Sequence, residues 1–182
     1  MKIYTIGHST RPLEEFIAVL ETYGIDSLVD IRTVPKSRHN PQFHIDSLRE
    51  TIPAAGIDYH HLEALGGLRH SRKDSPNRGW RNTSFRGYAD YLGTPEFAAG
   101  LDELLAIAAD HTTAIMCAEA VPWRCHRSLV GDALLVRDVE VIDIFDARKA
   151  SAETLTRFAV VDGLSITYPP EDEAEESAKP ED

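Results

Sequence analysis

The stretch KIYTIGHSTRPLEEFIAVLETYGIDSLVDIR, residues 2–32, decides the fold. Ile3 to Ile6 and Ser27 to Ile31 are short apolar runs that end in glycine, polar or charged residues, the pattern of strands buried in a sheet. Between them Leu13, Phe16, Ile17, Leu20 and Tyr23 recur at helical spacing. Pro12 suits a first helical turn, Glu14 and Glu15 favour the positive end of the helix dipole, and Gly24 can stop the helix. The stretch is therefore a complete strand–helix–strand unit, the crossover that two parallel strands require.

The same alternation continues outward. Thr113 to Met116 and Val139 to Phe145 read as strands, and a weaker strand is expected around Ile57 to Leu62. Helices are expected over Ile45 to Ala55, with Pro53 ending or bending it, and from about Trp123 to Arg137. A further helical region runs from Phe85 to Ala109, broken near Gly93-Thr94-Pro95, with Leu101, Leu104, Leu105 and Ala108 on one face. Leu164 to Tyr168 reads as a late edge strand. Strands taking turns with helices predict a three-layer α/β/α fold with a mostly parallel sheet, as a single domain over residues 1–168. Residues 169–182 hold seven acids and one lysine and are expected to be a disordered acidic tail.

Composition agrees with this class. The 182 residues are 42% hydrophobic and 27% charged, which suits one ordinary globular domain and excludes a collagen-like, coiled-coil or wholly disordered chain. The longest purely apolar run, Leu104 to Ala109, is far short of a membrane span, and MKIYTIGHS at the amino terminus lacks a long apolar stretch. A cytoplasmic location without membrane contact is expected. Two cysteines make no disulfide framework and are expected to be buried, catalytic or metal-bound.

The net charge of −11 is unevenly spread. Residues 32–86 carry ten Lys/Arg against five acids, whereas residues 138–182 carry four against thirteen. An anionic ligand is expected at the basic segment and a solvating role at the acidic one, although both sets of charges also suit plain solvated faces. Within the basic segment, Gly66 to Gly87 is long, polar and aperiodic, with Arg69, Arg72, Lys73, Arg78, Arg81 and Arg86 interleaved with His70, Trp80 and Phe85. It reads as a lid over an anion, as a phosphate-contacting and base-stacking surface for nucleic acid, or as a solvated loop anchored to the core by Trp80.

Ligands of open α/β sheets bind beyond the carboxyl ends of the strands. That rim receives Gly7-His8-Ser9 from the first strand and Asp30, Arg32, Ser37 and Arg38 from the second. Gly66-Gly67 come from near the third, and Cys117 and Glu119 from the Thr113–Met116 strand. The densest piece is Cys117-Ala-Glu119-Ala-Val-Pro-Trp-Arg124-Cys125-His126-Arg127, running from a strand end to a helix start. A helix start with Arg124, His126 and Arg127 alongside should lower the pKa of Cys125, which is the expected thiolate, with Cys117 a small core residue. Glu119 is a candidate general acid or base, and His126 a candidate proton carrier. Arg124 falls seven residues after Cys117, one more than in cysteine phosphatases, and seven residues between the cysteines do not fit structural zinc modules.

Five separated motifs then carry a resemblance: Tyr4-Thr-Ile-Gly-His-Ser9; Val29-Asp-Ile-Arg32 with Pro35 and Ser37-Arg38; Tyr59 with Leu65-Gly-Gly67; Phe85 with Gly87-Tyr88; and Cys117-Ala-Glu119 with Cys125-His-Arg127. Over about residues 1–145 the chain resembles the domain of unknown function 488 family. The resemblance implies a bacterial or archaeal cytoplasmic α/β protein and no established activity. It carries His8, Ser9, Asp30, Arg32, Ser37, Arg38, Gly66, Gly67, Cys117, Glu119, Cys125, His126 and Arg127 as motif positions.

The leading expectation is an enzyme, a hydrolase or transferase acting on a phosphate-bearing or otherwise anionic substrate. Cys125, Glu119, His126 and His8 are its catalytic groups, and Ser9, Arg32, Ser37, Arg38, Gly66, Gly67 and Arg127 bind substrate. A nucleic-acid-binding module using the 66–87 loop, and a metal-dependent enzyme or sensor with Cys/His ligands, are the alternatives. No metal ligand or cofactor is assigned, and the oligomeric state is left open.

Overall fold

The computed structural model describes residues 1–170. The elements, in chain order, are β1 (Lys2–Gly7), α1 (Leu13–Thr22), β2 (Ser27–Asp30), α2 (Ile45–Ala54), β3 (Asp58–His61), α3 (Thr83–Tyr91), α4 (Pro95–Asp110), β4 (Thr113–Cys117), α5 (Arg127–Leu135), β5 (Glu140–Ile144), β6 (Ala150–Ala152), β7 (Val160–Asp162) and β8 (Ser165–Thr167). Short 3₁₀ turns cover Pro41–Phe43, Glu63–Leu65 and Pro122–Arg124.

Six strands form one sheet in the order β3-β2-β4-β1-β5-β6, parallel throughout except for the antiparallel β5–β6 pair. Alternate side chains of each strand feed opposite faces. Ala114 and Met116 join Ile6 and Leu28 under α1 and α2, packing with Phe16, Leu20, Leu48 and Ile52. Ile115 and Cys117 join Ile3, Val29 and Ile31 on the other face, against Tyr88, Phe97, Leu101, Leu104 and Leu129 of α3, α4 and α5. The result is the expected three-layer α/β/α arrangement. Among the described residues no helix is long and apolar enough to cross a membrane.

Local chemistry explains most element boundaries. Thr94 caps α4 by accepting from the Phe97 amide, and Pro95 follows at the first helical position, so the 85–109 region splits into α3 and α4. Pro53 lies in the last turn of α2, which ends at Ala54. Two expectations need correction. The helix expected from about Trp123 begins only at Arg127, because Pro122 starts a separate 3₁₀ turn and Cys125 is extended (φ −134°, ψ 146°). The late strand at Leu164–Tyr168 does not edge the main sheet but pairs with β7 in a hairpin of its own. The edge strand beyond β5 is β6, three exposed small residues without a strand signature. The acidic tail expectation at 169–182 lies, apart from Pro169 and Pro170, outside the described residues.

Candidate active site

β1 and β4 are neighbours, and their pairing runs past the sheet: the His8 amide donates to the Cys117 carbonyl and the Ser9 amide to the Ala118 carbonyl, both at 2.9 Å. This brings the segments that leave β1 and β4 together on one rim. Beside them lies a cavity of about 450 Å³ lined by residues of four such segments: Arg32 to Val34, Gly67 and Leu68, Cys117 to Glu119, and Arg124 to His126, with Ser84 and Phe85 of α3. Its mouth is partly apolar, with Val34 55% and Leu68 74% exposed.

The two cysteines meet at the cavity wall. Their Sγ atoms are 2.6 Å apart, and both are free thiols, 2% and 5% exposed for Cys117 and Cys125. Arg127, the first residue of α5, is 1% exposed and reaches back so that Nη1 donates to Cys117 Sγ at 2.6 Å and to the Glu119 carbonyl at 3.0 Å. The Arg127 backbone amide points instead at Cys125 Sγ, at 3.5 Å.

The thiols are thereby made unequal. Burial by itself would push Cys117 up, yet the hydrogen bond from Cys125 and the charge of Arg127 outweigh it and bring its pKa below the ordinary thiol value. Cys125 moves the other way: the hydrogen bond it donates to Cys117 comes first, then burial, and both favour its protonated form. The two shifts thus run opposite to the expectation from the helix start, which favoured Cys125. Two carboxyls also lie within the electrostatic reach of Arg127. Glu153 is pushed up to about 9 by burial and by the charges of Asp143 and Asp132, so it is neutral at pH 7. Asp143, also raised by burial, accepts from Thr5 Oγ1 at 2.5 Å.

Both histidines are neutral and fixed. His126 Nε2 donates to the Ile31 carbonyl at 3.0 Å, which leaves the Nδ1 lone pair facing Cys125 Sγ at 3.5 Å. Burial lowers its pKa to about 4. Its ring packs on Tyr88 and on the backbone at Gly67, where a Cβ would fall 2.4 Å from Nδ1. His8 stacks on Phe43 at 4.2 Å, donates from Nδ1 to the Ser9 carbonyl and accepts from Arg32 Nη1 at 3.2 Å; burial lowers its pKa to about 4 as well.

The other nominated residues divide. Arg32 lines the cavity, but its guanidinium is held by both carboxylate oxygens of Asp30, at 2.9 and 2.5 Å, and Asp30 also accepts from Tyr59. Glu119 and Arg124 are exposed on the wall. Gly66 packs against Thr33, where a Cβ would meet Oγ1 at 2.4 Å. Ser37 Oγ accepts from the Asn40 amide before the Pro41–Phe43 turn, Arg38 is exposed, and Ser9 has a left-handed backbone (φ 51°); none of the three lines this cavity. Val34 and Leu68 were missed as lining residues, since exposed apolar positions in a loop carry no periodic signal, and Ser84 and Phe85 of the first turn of α3 were missed as well.

The basic loop is shorter and better ordered than expected. It ends at Asn82, whose side chain caps α3 by accepting from the Ser84 and Phe85 amides. Asp90 of α3 accepts from the Arg72 amide, Ser75 Oγ and Asn77 Nδ2. Trp80 is engaged by Phe85 at 4.8 Å, Phe158 at 4.9 Å and Tyr168 at 5.6 Å, so it anchors the loop to the core and is not free to stack on a base. Among the described residues no group of three or more His, Cys, Asp or Glu side chains could hold a metal ion.

No curated protein and no solved structure matches the chain. The family described as Domain of unknown function DUF488 matches residues 12–134, a span holding both cysteines, Glu119, His126 and Arg127 but not His8 or Ser9. A match over that much of the chain establishes the relationship: the protein belongs to the DUF488 family.

Proposed function

We propose that the protein is a hydrolase or transferase whose cavity takes a small anionic, phosphate-bearing substrate, with Cys117 as the nucleophile. The observation that supports this is the buried Arg127 guanidinium 2.6 Å from Cys117 Sγ at the cavity wall, which favours the ionised form of that sulfur. Arg124, with the Nη1 edge of Arg32, supplies positive charge toward the anionic group. Glu119 is the exposed carboxyl on the same wall and the candidate for proton transfer to the leaving group. His126 and His8 position the cysteines and Arg32 in this reading, because both rings already have partners. The apolar mouth at Val34, Leu68 and Phe85 suits the uncharged remainder of a substrate such as a nucleotide.

The test is protection of Cys117 from iodoacetamide by inorganic phosphate and a panel of nucleotides, read by peptide mass spectrometry. Saturable protection by a panel member is expected, along with turnover of that compound that Cys117→Ser abolishes. A panel that neither slows alkylation nor turns over would overturn the reading. Binding of an oligonucleotide with steep salt dependence, with Cys117 still fully reactive, would favour the nucleic-acid-binding module instead.

A further inference from the structure

Beyond that reading, we propose that Cys117 and Cys125 form a dithiol–disulfide couple that exchanges with small disulfides entering the cavity. The inference needs only the two sulfurs and their immediate partners, not an anionic substrate. The sulfurs lie 2.6 Å apart, each on the cavity wall, against about 2.05 Å for a formed S–S bond. Little side-chain movement separates the two states. One sulfur comes from the rigid end of a central strand and the other from the extended residue two before α5, so the pair is held together by the fold and not by a local turn.

Exchange needs an attacking thiolate and a second thiol that stays protonated until it resolves the mixed disulfide. The site provides this division. Cys117 carries the Arg127 guanidinium at 2.6 Å, while Cys125 has the His126 Nδ1 lone pair at 3.5 Å and the Arg127 amide at the same distance. In the first step Cys117 Sγ attacks one sulfur of the small disulfide. A Cys117–S–S–R bond forms, the original S–S bond breaks, and one RS⁻ leaves. In the second, the Cys125 sulfur attacks Cys117 Sγ, forming the Cys117–Cys125 bond and expelling the second RS⁻, which takes up the proton that Cys125 gives up. One proton from solvent completes the first RSH. Two electrons have passed from the cysteine pair to the small disulfide.

Fully reduced protein is incubated with oxidised glutathione at pH 7, quenched in acid and followed by intact mass and peptide mapping. The wild type is expected to lose two hydrogen atoms and yield a Cys117–Cys125 cross-linked peptide that dithiothreitol reverses. Cys125→Ser is expected to accumulate a glutathionyl adduct on Cys117, and Cys117→Ser to react at Cys125 at least roughly tenfold more slowly. Two free thiols persisting in excess oxidised glutathione, or a lasting glutathionyl adduct on the wild type without the cross-link, would overturn the proposal. The wild-type peptide map decides it without either variant. A cross-link in a protein that no phosphate compound protects separates this inference from the phosphate reading.

Discussion

A guanidinium that is 1% exposed must be balanced inside the protein, because an unpaired charge in the interior costs several kcal/mol. Arg127 Nη1 is in direct contact with Cys117 Sγ, while burial raises the pKa of both neighbouring carboxyls, Glu153 and Asp143. Replacing Arg127 by Met should therefore raise the Cys117 pKa. The midpoint of the alkylation–pH profile is expected to move up by about one unit or more, which slows labelling at pH 7 roughly tenfold. Glu153 gives a second test. Its folded pKa of about 9 lies above the ~4.3 of an exposed Glu, so between those values the folded state holds a proton that the unfolded state has lost. Stability then falls as pH rises, by up to ~1.4 kcal/mol per unit from this group alone. Glu153→Gln keeps the shape without the ionisation, and urea denaturation from pH 5 to 9 should show a flatter stability profile than the wild type. At this scale the sequence singled out both cysteines and Arg127 but favoured Cys125 for the lowered pKa, whereas the directions of the two shifts run the other way. Adjacency in the chain put Arg127 beside Cys125, whereas the side chain folds back to the end of β4.

Among the elements, α5 is the one on which the others converge. Asp132 on its buried face accepts from the Thr156 amide at 2.8 Å and from Tyr168 Oη at 2.7 Å. Tyr168, just past β8, in turn donates its amide to Asn77 and accepts from the Gly79 amide, so the hairpin segment ties the basic loop to the helix bearing Arg127. Tyr168→Phe leaves Asp132 short of a donor in a buried place. A loss of about 2 kcal/mol is expected in urea denaturation, with faster amide hydrogen exchange at residues 77–80. Helices α1 and α4 were legible because periodicity and caps are local. The order of residues 66–82 was not, since it comes from Asp90 and Tyr168, which are distant in sequence and carry no signal at the loop itself.

For the molecule as a whole, the decisive seam is between β1 and β4. A Cβ on Gly7 would fall 1.7 Å from the Glu119 carbonyl oxygen, and that oxygen also accepts from Arg127 Nη1. The clash is with backbone, so no side chain can swing away. Gly7→Ala is expected to cost roughly 3 kcal/mol and to shift the Cys117 alkylation profile upward, checked by urea denaturation and by the same pH series. From the sequence alone came the alternation of strands and helices, the three layers and the rim on which His8, Arg32, Cys117 and Cys125 gather. All of these follow from hydrophobic period and from the rule that strand ends face ligands. Tertiary structure alone decided the β3-β2-β4-β1-β5-β6 order, the 2.6 Å meeting of the two sulfurs, and which of them the Arg127 guanidinium contacts. Strand order and charge partners depend on contacts between residues far apart in the chain, and the energy of a buried ion is set by those contacts, which local composition does not encode.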